Sequence, residues 1–186
     1  MTLTATLTGF GLDELEPGEL LERVAQAERC ERAAALCKLE LAVQWCVLHP
    51  ATAETGAAVR GAGLPGLADC DEALGGDGCP AVSAFAPEPF AAALGVSSTT
   101  GMQLLADALD LTHRLPRIWQ RVRALEVPAW KARRVAQATH TLSRDATAYV
   151  DAHLADRLAS CGVVLIDRVV AQATAHHDPE TQAELA

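Results

Sequence analysis

Residues 15–48 place Leu20, Leu21, Val24, Ala27, Ala34, Ala35, Leu41, Ala42, Trp45 and Leu48 among frequent Glu and Arg, and that spacing is helical rather than alternating. Pro17 suits a first helical turn, the early glutamates suit the positive end of a helix dipole, and Pro50 stops the run. About thirty residues at 1.5 Å each make a rod of roughly 45 Å. A rod of that length needs a partner, either another helix of the same chain or a second protomer. The rest of the composition agrees with helices. Half of the 186 residues are apolar but Ala dominates that half and aromatics make up only 4%, which favours close-packed helices over sheets. The expectation is an all-α protein of one domain, since the chain is too short for two ordinary domains to be the default.

Residues 1–14 read as an N-terminal tail, 15–49 as the long helix, 50–84 as a Gly/Pro-rich loop and 85–186 as a multi-helix bundle. The loop carries seven glycines between Gly56 and Gly78, with Pro65 and Pro80. These glycines do not follow the phosphate-loop order and no Lys lies among them, so a nucleotide site is not indicated. A short helix beginning near Pro89 is expected to end at Leu94 with Gly95 as its cap, and Ser97 or Ser98 then caps a second helix running to about Arg114. This A-x-x-L-G-V-S pattern is helix-turn-helix-like, readable either as a DNA-reading unit or as a plain corner in a core. Asp107 and Asp110 on the second helix would repel phosphates. Helices are further expected from Pro116, from Pro128 and from Ser143 to about Ser160. A last one after Gly162 has Leu165, Ile166, Val169, Val170 and Ala173 as its apolar stripe, and the final two helices are expected to cover the long N-terminal one.

The charge is unevenly placed. The chain is formally −9, yet residues 111–144 hold eight of its fifteen Lys and Arg with Glu126 as the only acid, a local excess of +7. A basic island inside an acidic protein points to one local surface for a polyanion rather than general nucleic-acid affinity. Advancing 100° per residue from Trp130 puts Ala132, Val135, Ala136, Thr139 and Leu142 on one face and Trp130, Arg133, Arg134, Gln137 and His140 on the other. Guanidinium groups pair with phosphates and an indole stacks on a base or sugar, so Arg114, Arg117, Arg121, Arg123, Trp130, Lys131, Arg133 and Arg134 are the candidate DNA-binding set. The competing reading is that these arginines pair with acidic helices of the same chain and that Trp130 folds back onto Trp119.

Other functions find less support. Residues 1–10 lack the basic start and cleavage site of a secretory signal, and no uncharged apolar stretch reaches the length of a membrane span, so a soluble, cytoplasmic protein without membrane partners is expected. Cys30, Cys37 and Cys46 fall within the long helix, and the step from Cys70 to Cys79 is not a zinc spacing, so neither a disulfide framework nor a metal site is expected. No G-x-S-x-G or H-E-x-x-H occurs, and adjacent His176 and His177 point about 100° apart on a helix. No catalytic residue and no cofactor is assigned.

Four runs, G-G-D-G-C-P-A-V-S-A-F-A-P-E-P-F-A-A-A-L-G-V-S, A-D-A-L-D-L-T-H-R-L-P-R-I-W, E-V-P-A-W-K-A-R-R-V-A-Q-A-T and Y-V-D-A-H-L-A, occur in this order across residues 75–180. Together they resemble a helical domain of unknown function that commonly precedes an HNH nuclease module. The resemblance implies a role beside a DNA-cutting module and leaves the domain's own biochemistry open. Leu125 stands where that family often has Gly. The family domain usually continues past D-P-E into a Cys- and His-rich nuclease, whereas this sequence ends at Ala186, so no nuclease residue is carried over and a C-terminally truncated or free-standing domain is expected. The resulting expectation is a non-catalytic DNA-recognition or positioning module acting through residues 111–144. The alternative is a protein-interaction module whose 15–49 helix dimerises or takes a partner helix.

Overall fold

The computed structural model describes residues 15–51 and 74–178, and over them the chain is all helical with a long N-terminal helix. The expected tail 1–14, most of the Gly/Pro-rich loop and the last eight residues lie outside the described residues. Helix α1, Pro17–Leu48, opens on a capping box in which Glu16 accepts from the backbone of Glu19 and the Glu19 carboxylate accepts the Glu16 N–H at 3.2 Å. It closes at His49, just before Pro50. Its buried residues Leu39, Ala42 and Cys46 recur at the spacing of one stripe, and all lie in its second half. Trp45 anchors that half by donating its indole N–H to the Ala86 carbonyl at 2.9 Å. Among the described residues one isolated antiparallel bridge, Pro50 to Val82, ties the chain just after α1 to the segment just before the next helix.

Helix α2, Pro87–Leu94, starts two residues before Pro89 and ends as expected at Gly95, whose left-handed φ of 68° suits glycine. Helix α3, Ser98–His113, is capped by the Ser97 hydroxyl, which accepts the Thr100 N–H at 3.2 Å. The corner between them is tight because Gly101 meets Ala91, and a Cβ at Gly101 would sit 2.5 Å from the Ala91 methyl. The helix-turn-helix-like corner therefore exists, but its second helix runs through the middle of the protein. Leu105, Ala106, Asp107, Ala108, Leu109, Asp110 and Leu111 are all buried, and the first turns of α3, with Ser98, Thr99, Thr100, Met102 and Gln103, are exposed.

Helix α4, Pro116–Arg123, buries Ile118 and Val122, and α5, Ala129–Thr139, buries the expected Ala132, Val135, Ala136 and Thr139. Between them Leu125 takes φ 60°. The N–H groups of Leu125 and Glu126 return to the carbonyls of Val122 and Arg121 at 2.9 and 3.0 Å, the bonds of a Schellman stop with Leu in the glycine position. Helix α6, Arg144–Leu154, is capped by Ser143 and gives way to turns at residues 155–160, short of the expected end at Ser160. Helix α7, Val163–His177, lays Ile166 and Ala173 on α6 and α5. The last two helices thus cover each other rather than α1, which packs chiefly on α3, because the buried stripe of α1 is only three residues long.

Candidate functional site

The first residue of the predicted basic set, Arg114, is 6% exposed and forms a polar centre inside the core. One guanidinium nitrogen donates to Asp110 at 3.3 Å and to the carbonyls of Thr139 and His140 at 3.1 and 2.9 Å. The other donates to the Leu142 carbonyl and, at 2.8 Å, to the Thr147 hydroxyl. Arg114 thereby closes the open C-terminus of α5, whose last carbonyls have no helical partners. Asp110 is filled from the other side by the Gly76 N–H at 2.8 Å and by His140 Nδ1 at 2.8 Å. Any Cβ at Gly76 would overlap the Arg114 guanidinium, which explains glycine there. Cys79, bonded to Asp110 at 3.5 Å, has its thiol pushed up to about 12 by burial first and by the Asp110 charge second. Isolated, the Arg114 and Asp110 charges would be costly to bury; surrounded by this many partners they are held.

The remaining cations are mostly paired at the surface. Arg121 reaches Glu126 at 2.7 Å and also Asp156, and these hydrogen bonds raise its pKa. Arg123 meets Glu40 of α1 at 3.4 Å, and Arg134 meets Asp167 of α7 at 3.2 Å. Arg133 binds buried Asp107 at 2.7 Å, a carboxylate that also takes the amides of Gln103 and Gln137 at 2.9 and 2.8 Å. Lys131 donates to the carbonyls of Leu158, Ala159 and Cys161, at 3.2, 2.8 and 2.9 Å, and so stitches α5 to the turns after α6. Arg117 makes no ion pair among the described residues. Its backbone N–H and that of Ile118 donate to Asp151 at 3.0 and 2.9 Å, so a carboxylate from α6 caps α4. Burial raises the Asp151 pKa, and those two hydrogen bonds and the Arg117 charge oppose the rise.

The eight predicted residues therefore do not form one surface. Arg114 is interior. Arg117 and Arg121 share a shallow pocket of about 460 Å³ with Gln120, Glu126 and Asp156. Trp130, Arg133, Arg134 and Gln137 line, with Val163, an open groove of about 520 Å³. Four of the five residues of the predicted polar face of α5 are thus assembled while His140 turns to Asp110, with Trp130 59% exposed, its neighbour Lys131 5.7 Å from the ring centre, and no fold-back onto Trp119, which packs against the core. One feature was missed. Asp107 and Asp110, read as obstacles to DNA, are the buried partners of the arginines, and their placement in an otherwise apolar run was the available signal. The long helix, expected to need a partner, is left uncovered over its outer half. None of residues 17–31 is buried, and Leu20, Leu21 and Val24 are 44, 71 and 60% exposed.

Among the described residues no group of three or more His, Cys, Asp or Glu gathers to hold a metal, the five described cysteines are unpaired, and no helix is long and apolar enough to cross a membrane. No family model, curated protein or solved structure matches the chain.

Proposed function

We propose that the protein is a non-catalytic helical interaction module that self-associates through the outer half of α1. The observation that carries this reading is the exposure of Leu20, Leu21 and Val24 on a helical segment of which nothing between residues 17 and 31 is buried. Fifteen residues of helix, about 22 Å, are marginal in water without a packed face. Local bonds such as Glu28 to Arg32 at 2.7 Å supply only tenths of a kcal/mol each. A second copy fits by charge. Residues 17–24 hold Glu19, Glu22 and Arg23, a net −1, while residues 28–38 hold Glu28, Glu31, Arg29, Arg32 and Lys38, a net +1. An antiparallel pair sets each acidic end against the partner's basic stretch and opposes the helix dipoles. Sedimentation equilibrium from 1 to 100 µM is the test. Wild type is expected to pass from monomer to dimer, and Leu21→Glu with Val24→Glu to stay monomeric at unchanged helicity. A wild type monomeric throughout removes the reading.

A second reading is favoured by exposed Trp130 beside Arg133 and Arg134 in the α5 groove: contact with DNA, beside a nuclease module as the resemblance implies. The internal pairing of Arg133 and Arg134 weakens it, because phosphate must displace Asp107 and Asp167. Fluorescence anisotropy with a labelled random duplex and a single strand, titrated with salt, checks it. Affinity falling linearly in log salt and lost in Arg133→Ala with Arg134→Ala supports DNA contact. Absence of binding at low salt rejects it.

A further inference from the structure

Of the eight basic residues in 111–144, only Arg117 and Arg144 have neither an ion pair nor a carbonyl acceptor among the described residues, and both line the same cleft. The cleft encloses about 350 Å³ where the end of α3 meets α4 and α6, and His113, Arg114 and Asp151 complete its chemistry. Two features make it a built site rather than a chance concavity. The Arg144 guanidinium lies against Gly78, which has φ 84°, so the chain at residues 75–78 packs on this side chain. The Nε of Arg114 is the one buried side-chain donor left without an acceptor among the described residues, and Arg114 is part of the cleft wall.

The one carboxylate in the lining faces inward. Asp151 is 4% exposed and both its oxygens accept the N–H groups that begin α4, so it neither neutralises Arg144 nor projects as a free acid. Two guanidinium groups without an ion pair among the described residues and an imidazole, against one hydrogen-bonded carboxylate that already interacts with the Arg117 charge, select an oxyanion, and two cations suit a dianion better than a single carboxylate. No Phe, Tyr or Trp lines the cleft, and its volume excludes a duplex. We propose that this cleft binds a phosphoryl group, presented either by a small phosphate or phosphomonoester or by a phosphorylated side chain. The proposal is independent of self-association and of the α5 groove.

Isothermal titration of the full chain with inorganic phosphate, with a phosphoserine peptide and with the same peptide unphosphorylated tests it. Saturable binding of at least one phosphorylated probe is expected, about tenfold weaker in Arg117→Gln or Arg144→Gln and about a hundredfold weaker in the double variant. Arg123→Gln, whose side chain lies outside the cleft, should bind like wild type. Both targeted side chains are exposed, and circular dichroism verifies that helicity is retained. A phosphopeptide bound more than tenfold tighter than inorganic phosphate identifies a phosphorylated chain as the source; equal affinities identify a free phosphate. No saturable binding at millimolar probe, or equal losses in Arg123→Gln and Arg144→Gln, overturns the proposal.

Discussion

The basic segment at residues 111–144 and the outer half of α1 are alike in one respect, since each carries side chains that call for a partner, but the protein largely satisfies only the first. In the basic segment Arg114, Arg121, Arg123, Arg133 and Arg134 all find carboxylates of their own chain, and Lys131 finds three carbonyls. On α1, Leu20, Leu21 and Val24 meet water. A charge excess counted along a sequence is therefore a poor guide to a charged surface, because Asp107, Asp151, Asp156 and Asp167 lie outside the counted segment or are brought to it by folding. An unburied apolar stripe cannot be cancelled in that way.

Breaking the basic segment should cost folding stability, whereas breaking outer α1 should cost only association. The largest effect is expected at Arg114→Ala, which leaves Asp110 charged and buried and opens the carbonyls of Thr139 and Leu142. A loss of about 3–5 kcal/mol in denaturant unfolding is expected, and a loss below about 1 kcal/mol would mean that the centre is not structural. The polar centre and α1 can also be compared through nearby thiols. With iodoacetamide at pH 8, Cys79 should react about a hundredfold more slowly than exposed Cys37, because its pKa is pushed up to about 12.

Asp151 comes next. Asp151→Ala removes the acceptor of two N–H groups at the start of α4 and should cost about 2 kcal/mol. Its titration has a definite sign. A carboxyl raised in the folded state above its ordinary 3.8 binds more protons folded than unfolded between those two values. Its contribution to stability therefore grows as pH falls through that window and is lost as pH rises. Wild type should gain on Asp151→Asn as the pH of the unfolding experiment is lowered from 7 towards 4. A gain in the opposite direction would show that the hydrogen bonds from Arg117 and Ile118 outweigh burial. The smallest effect is at Leu125, where a φ of 60° strains a residue with a Cβ. Leu125→Gly should stabilise the protein by about 0.5–1 kcal/mol, offset in part by the entropy of glycine.

Local signals in the sequence were reliable. Gly95, Ser97, Pro116 and Ser143 mark their helix ends, and the apolar face of α5 is where a 100° advance puts it, since caps and helix faces depend on neighbours within four residues. Long-range pairing was not legible. Nothing near Asp110 in sequence announces that Arg114 will reach the carbonyls 25–28 residues on, or that Gly76 will close over them. The packing of α7 on α6 instead of α1 was hidden for the same reason, because an apolar stripe records that it will be covered and not by what. The left-handed backbone at Leu125 was not legible either, since nothing in that residue type announces a positive φ.

Self-association through α1 is tested most directly by hydrogen exchange of residues 17–31, followed by mass spectrometry at 1 and at 100 µM protein. Protection of this segment should rise with concentration while the exchange of α3 and α5 stays constant, and the rise should vanish in Leu21→Glu with Val24→Glu. Exchange of residues 17–31 that is the same at both concentrations would contradict the proposal that a second copy of the chain covers the outer half of α1.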